Sequence, residues 1–247
     1  MKVARPGALQ AAAESAVTLG LVLLLFLAHQ LWWTNRQAQE GAAREVAALE
    51  REWGRQGESN GGSEEESNGV GEEESYGVGE GVDEGEAVRE GRGTPERSAE
   101  AYAILDIPRL RLRAPVAEGV GRADVLDKGY VGHYPGTARP GRPGNLALAG
   151  HRNTHGEPFR HLDRLVPGDE VRVETRDAVH TYVVDRTLPQ TTPGDGGVLR
   201  PVPRSDVRPS YGYAESGHYL TLTTCTPAYT STYRLVVWGK LRSVRLR

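Results

Sequence analysis

The stretch His218–Tyr219–Leu220–Thr221–Leu222–Thr223–Thr224–Cys225–Thr226–Pro227 decides how this chain is read. Tyr, Thr and Leu in this density make a short strand, and Pro227, with no amide hydrogen for a ladder, stops it. At the strand's end stands Cys225, the one cysteine among 247 residues. Nine residues later Arg234 lies inside a second strand-like run, Tyr233–Arg234–Leu235–Val236–Val237–Trp238. Far upstream a third run, Asn145–Leu146–Ala147–Leu148–Ala149, ends in Gly150–His151–Arg152. A thiol, a histidine and an arginine, each on or just past a strand, are the parts of a nucleophile, its proton partner and an anion stabiliser.

The same grammar extends outward from this stretch. From Ala101 onward, short apolar runs are split by Gly and Pro: Ala103–Ile107, Leu110–Val116, Leu146–Ala149, Glu170–Glu174, Val179–Leu188, His218–Thr224 and Tyr233–Leu241. Several alternate, as in Val171/Val173 and Tyr182/Val184, so the pattern predicts an all-β barrel or sandwich. Asp124–Lys128 and Pro158–Leu165 read as single helical turns, and Phe159, Leu162 and Leu165 fall at core-packing spacing. Residues 101–247 are close to the usual size of one domain.

The part before Ala101 is of another kind. Residues 1–10 carry Lys2 and Arg5 and no acid, and residues 11–33 are mostly apolar. Ser15–Trp33 would make about 28 Å of helix, close to a hydrocarbon core of about 30 Å. Trp32 and Trp33 stand at one end, where indole rings favour the headgroup layer. The basic residues ahead of the span favour a cytoplasmic N-terminus, with the rest of the chain outside. An uncleaved signal anchor is expected, since Ala28–His29–Gln30 makes a poor cleavage site for the competing signal peptide. Residues 34–54 read as a helical stalk with a Glu40–Arg44 pair at i, i+4. Ala42, Val46, Leu49 and Trp53 lie on one side of it, and a solvated continuation of the membrane helix is the favoured form. Residues 55–100 repeat Ser-Asn/Tyr-Gly every eight residues with Glu triplets at 64–66 and 72–74. Such composition buries too little apolar surface to offset chain entropy, so a disordered, acidic, self-repelling linker that gives the domain reach is expected.

Charge follows the same division. The whole chain is at −3, but residues 55–100 carry 14 acidic and 4 basic side chains, and residues 101–247 carry 14 acidic and 21 basic. The basic domain suits acidic wall polymers; outside the cell a nucleic-acid partner is not expected.

An exported protein that used cysteine for stability would normally carry an even number. Cys225 is therefore read as a nucleophile, against the alternatives of a buried core thiol or an intermolecular disulfide. His151 is favoured as its proton partner because it directly follows a strand and a glycine, although position alone leaves His155 open. Arg234 is either an outward residue of an alternating strand or a guanidinium aimed at an oxyanion. No zinc-type spacing is present, so neither a metal nor another cofactor is expected. Arg139–Asn145 is a turn before a strand and lacks the Lys-Ser/Thr of a phosphate loop.

These residues resemble the sortases, membrane-anchored cysteine transpeptidases of Gram-positive bacteria. Thr221–Leu222–Thr223–Thr224–Cys225 matches the family's TLxTC signature, Arg234 stands where its arginine follows, and Gly150–His151–Arg152 matches its histidine segment. Gly132–His133–Tyr134–Pro135–Gly136–Thr137, then Pro140–Gly141 and Gly144–Asn145, look most like class E, the housekeeping type of many high-GC actinobacteria. The resemblance covers residues 101–244 and implies a closed eight-stranded sortase-type β-barrel. It also implies the chemistry. Cys225 attacks the Thr–Gly bond of a sorting signal of LAXTG or LPXTG type near the C-terminus of a secreted protein. His151 is the acid and base, and Arg234 holds substrate or oxyanion. An amine of a lipid II-type peptidoglycan precursor resolves the thioacyl-enzyme. Thr224 is similar to a threonine that shapes the oxyanion site, and Tyr134 to a tyrosine that favours the alanine of LAXTG. A hydrolase that only cleaves, a pilin-polymerising sortase and a non-enzymatic surface β-module stay open as alternatives. An L,D-transpeptidase does not fit Thr223–Thr224–Cys225, where that family has Ser/Thr-His-Gly-Cys.

Overall fold

The computed structural model describes residues 6–60 and 100–247. Eight strands follow in sequence: β1 (Ala101–Ile107), β2 (Leu112–Glu118), β3 (Val131–His133), β4 (Gly144–Ala149), β5 (Glu170–Glu174), β6 (Ala178–Thr191), β7 (His218–Thr226) and β8 (Tyr233–Leu246). They close into a barrel in the order β1-β2-β3-β4-β7-β8-β6-β5, which is the eight-stranded barrel expected. Two of the pairs are parallel, β2 with β3 and β4 with β7. The fourteen-residue strands β6 and β8 wrap the wall, and three register shifts between them supply the bends.

The period of two sorts side chains to either side of this wall. Leu105, Leu146, Leu148, Val171, Val173, Leu220, Leu222, Leu235 and Val237 fill the interior, as a barrel of this strand number requires. Burying each fully contributes about 1.5–3 kcal/mol. Part of the outer face is covered as well. Leu188, Val198, Tyr213, Tyr219, Val236 and Trp238 form a second cluster there, and Val198 and Tyr213 come from the excursion between β6 and β7. The strand missing from the sequence reading is β3, whose three residues are all buried. At its centre Gly132 is obligatory, because a Cβ would stand 2.5 Å from the Gly119 carbonyl oxygen.

The helix α1 runs Pro6–Asn60. Its apolar part, within Ala13–Arg55, is long and apolar enough to cross a membrane, with mean hydropathy 1.8. The favoured solvated stalk is corrected by the structure. Val46, Leu49 and Trp53 are buried against Ala101, Ile104 and Tyr130 of the barrel, and Ala42 is buried too. An i, i+4, i+7, i+11 stripe is amphipathic, and here the barrel is the surface that covers it. Glu50 adds an ion pair to Arg113 at 2.6 Å, and the Arg247 guanidinium lies 5.0 Å from the Trp53 ring centre. Burial beside Glu45 pushes the Tyr130 phenol up to about 12. Glu40 pairs with Arg36, one turn before it, at 2.9 Å. The helix continues through residues 55–60, the first six of the expected linker; the Glu triplets and the octad repeats lie outside the described residues.

Candidate active site

Three neighbouring strands carry the site. β4 and β7 run parallel with Leu148 opposite Leu222 and Ala149 opposite Thr223. β7 and β8 run antiparallel with Thr223 opposite Val236 and Cys225 opposite Arg234. Leu220 and Leu222 point into the barrel, so Thr221, Thr223 and Cys225 lie on its outer face. By the same alternation Ala147 and Ala149 of β4 and Arg234 and Val236 of β8 share that face. The result is a strip of mainly small side chains on the barrel wall, buried beneath the β6–β7 excursion, that ends at Cys225, which is partly exposed.

Past the end of β4 the ladder continues by one residue. The Gly150 amide donates to the Thr223 carbonyl at 3.2 Å, and the Thr224 hydroxyl donates to the Gly150 carbonyl at 2.8 Å. His151 follows, and Arg152 after it reaches the Cys225 carbonyl at 3.3 Å. Gly150 has a steric reason: a Cβ there would meet the Phe159 ring at 2.8 and 2.9 Å. Phe159 is fully buried, and its amide donates to the His151 carbonyl at 3.0 Å. The loop bearing His151 is thus pinned from beneath.

His151 Nε2 lies 2.7 Å from Asp127 Oδ1, in the 3-10 turn Leu126–Lys128. His155 Nδ1 lies 3.6 Å from the same oxygen, and the two imidazoles are 5.4 Å apart. An ionised Asp127 accepts from Nε2–H, which leaves Nδ1 of a neutral His151 to exchange a proton. Asp127 therefore sets the tautomer. Among the described residues, Asp127, His151 and His155 are also the group whose donor atoms come close enough to share a cation, within 4.8 Å. The 2.7 Å contact is the length of a charge-assisted hydrogen bond, which a cation would have to open.

Two arginines flank the thiol. Arg234 Nη1 donates to the Ser231 and Tyr233 carbonyls, both at 3.0 Å, so its head is tied to its own loop. Arg152 is the more buried of the two. Its Nη1 donates to the Cys225 carbonyl at 3.3 Å and the Thr226 hydroxyl at 3.0 Å, and its Nη2 pairs with Asp163 at 3.2 Å. The structure puts Thr224 on the inward side of β7, buried, with its hydroxyl engaged by Gly150; it clamps the His151 loop. Tyr134 borders the outer strip, its hydroxyl 3.3 Å from Thr223 Oγ1.

Sequence reasoning missed Asp127, and it saw Arg152 only as part of a motif. Asp127 sits in a short helical turn with no motif of its own, 24 residues before its partner. Arg152 carried a signal that went unused, a charged residue directly after the histidine and near enough to β4 to follow its register.

A sortase-domain family model matches residues 105–242. Sortase SrtE1 of Streptomyces coelicolor is 38% identical over 252 residues, which take in 98% of this chain and 61% of that protein's length. Sortase SrtE2 of the same organism is 31% identical over 96% of this chain and 85% of its own. Among solved structures, sortase E1 of Streptomyces coelicolor with a tripeptide in its active site is 48% identical, with a TM-score of 0.56 over 60% of this chain and 91% of that one. Sortase E of Streptomyces avermitilis is 44% identical, with a TM-score of 0.52 over 59% and 90%. The barrel, the outer strip ending at Cys225 and these likenesses agree: the chain belongs to the sortases, a family of cysteine transpeptidases, and within them to class E.

Proposed function

We propose that this chain is a membrane-anchored transpeptidase that cuts a C-terminal sorting signal of LAXTG or LPXTG type between Thr and Gly and joins the new carboxyl end to a cell-wall precursor amine. The observation that supports the reading is the register that sets Cys225 opposite Arg234, together with Arg152, next to His151 in sequence, reaching the Cys225 carbonyl. Ala147, Ala149, Thr221 and Thr223 are buried beneath the β6–β7 excursion and brace the end of β7; in this reading the peptide lies nearer the partly exposed Cys225, and Tyr134, half-buried with its hydroxyl 3.3 Å from Thr223 Oγ1, meets the residue after the leucine.

In the reaction, the Cys225 thiolate attacks the threonine carbonyl carbon and its electrons move onto the oxygen. As the tetrahedral intermediate collapses, His151 gives its proton to the departing glycine nitrogen and a thioester remains. An incoming amine then attacks the thioester. His151 takes a proton from that nitrogen, and Cys225 leaves as thiolate once the new amide forms. Arg234 serves the oxyanion once it turns from the Ser231 and Tyr233 carbonyls, and Arg152 holds the backbone of Cys225 in place meanwhile.

Lys2 and Arg5 before the apolar stretch favour an N-terminus in the cytoplasm and a catalytic domain outside, where sorting-signal proteins and lipid II-type amines are met. The test uses the full chain in detergent with a fluorogenic LAXTG peptide, with and without a glycine-rich amine, products weighed by mass spectrometry. Cys225-dependent cleavage with an amine adduct supports transfer. Cleavage that ends only in the free acid supports a hydrolase. No cleavage, together with a Cys225 that resists alkylation in the folded chain, overturns the enzyme reading.

A further inference from the structure

The docked face of α1 ends close to its apolar stretch. Asn35 stands two residues past Trp33, about 3 Å further along the helix axis. It already touches the barrel: its Oδ1 accepts from the Gly156 amide at 2.7 Å, and Gln39 Nε2 donates to the Gly156 carbonyl at 3.3 Å. The backbone of Ala38 packs on Gly129, where a Cβ would meet the Ala38 carbonyl oxygen at 3.0 Å and the His155 carbonyl oxygen at 3.2 Å. Gly129 and Gly156 both hold positive φ, 80° and 84°, so these turns have no side chain to keep the helix away. They are the turns that follow Asp127 and His155. The other end of the contact lies at Glu50 and Trp53, against Arg113, Arg247 and Ala101, about 27 Å further along the helix.

The barrel therefore has two ends relative to the apolar stretch, and the reactive groups are at the near one. The loop between β7 and β8 shares this end, because Thr226 pairs with Tyr233 at its base. Tyr229 at its tip is 79% exposed. Arg160, paired with Glu157, keeps half of its side chain exposed, and Arg122, 3.9 Å from Asp127, is exposed as well. Exposed tyrosine and arginine side chains at one level are what an anionic headgroup layer recognises.

We propose that this end of the barrel is a bilayer-contacting surface: α1 holds the Cys225 cleft at the headgroup layer, with Tyr229 and Arg160 against anionic phospholipid. The proposal rests on the reading that the apolar stretch of α1 spans a membrane. The expected flexible tether would let the domain roam, whereas a docked helix sets both its height and its facing. Substrates presented from the same leaflet would reach Cys225 without the domain rising from the surface.

The test uses the full chain with Cys225→Ala in nanodiscs of phosphatidylcholine with a minority of phosphatidylglycerol. A fluorophore is placed at Tyr229→Cys in one sample and at Asp177→Cys, in the exposed far turn between β5 and β6, in another. Quenching by a lipid with a nitroxide on its headgroup is expected to be severalfold stronger at position 229. Adding Val46→Asp, which undocks the helix, is expected to erase that ratio. Equal quenching at both positions in the docked chain overturns the proposal, and so does stronger quenching at 177. A chain that carbonate washes off the lipid overturns the anchor reading and the proposal together. No step of the assay uses catalysis, so a failed transfer reaction would leave this result unaffected.

Discussion

Replacing Asp127 by Asn tests the site at the contact that sequence reasoning did not see. Asparagine keeps the volume and removes the charge, and its NH2 can donate to Nε2 and favour the wrong tautomer of His151. The size of the effect follows from geometry and exposure. Opposite charges about 4 Å apart are worth about 1 kcal/mol in bulk water and about 4 kcal/mol at an effective dielectric of 20. The Asp127 and His151 side chains are 30% and 17% exposed, so the loss falls between those limits. A hydrogen bond to a charged group, at about 1.5–3 kcal/mol, is the fitting measure. With tenfold in rate for each ~1.4 kcal/mol, kcat should fall roughly 10- to 100-fold.

The assay is steady-state cleavage of a LAXTG peptide by the full chain, with a thermal melt alongside. KM should hold, because Asp127 acts through its contact with His151, and the melt should hold because the carboxylate is partly exposed. Asp127→Glu should recover part of the rate. His155→Ala should cost less than Asp127→Asn, since its 3.6 Å contact is too long for a hydrogen bond. A normal kcat in Asp127→Asn with the fold intact would refute the reasoning and leave His151 to act without a carboxylate.

Gly150→Ala should destabilise the domain by about 1–3 kcal/mol and lower activity more than stability alone explains, because its Cβ enters the Phe159 ring and shifts the His151 loop; melts and kcat together check this. Burial holds the His133 imidazole below its ordinary pKa despite Glu118 beside it. The folded state then binds fewer protons than the unfolded one, so stability should fall as pH drops through 6.5; melts between neutral pH and about pH 5 should show this slope, and His133→Gln should reduce it, the rest coming from His180, which burial also holds low. Tyr134→Ala should reduce the preference for LAXTG over LPXTG peptides by roughly tenfold while Tyr134→Phe keeps most of it, read as the ratio of kcat/KM values.

What was legible in the sequence depended on the distance over which it had to be read. The β7–β8 hairpin needed only the alternation on each side of the short stretch from Pro227 to Thr232, and Cys225 and Arg234 emerged as a pair. The β4–β7 pairing joins residues far apart in sequence, Asn145 with Tyr219 and Ala149 with Thr223, and no local pattern states that two such strands lie parallel. His151 was reached by its place after a strand and by family likeness. β3 is too short for a period of two to show. The docking of α1 did leave a trace. Ala103–Ile104–Leu105 is apolar on both faces, which marks a strand covered on both sides. Ala103 and Leu105 face the interior, and Ile104 faces α1.

The site divides its parts between two kinds of support, and the division predicts how it fails. Cys225 and Arg234 sit on a continuous ladder, where each residue is held by its neighbours and a single substitution shifts little. His151 and Asp127 sit on turns held by a few contacts: Phe159 under Gly150, the Thr224 hydroxyl on the Gly150 carbonyl, and α1 against Gly129 and Gly156. Loosening those contacts should leave the thiol where it is and misplace only its proton partner. Such variants should still be alkylated at Cys225 by a small reagent yet turn over peptide slowly. Asn35→Ala with Gln39→Ala is the cleanest case, because both side chains hydrogen-bond to the turn after His155 and not to β7 or β8. If that pair loses alkylation and turnover in equal measure, the two supports are one, and the helix acts on the whole barrel end rather than on the acid–base pair.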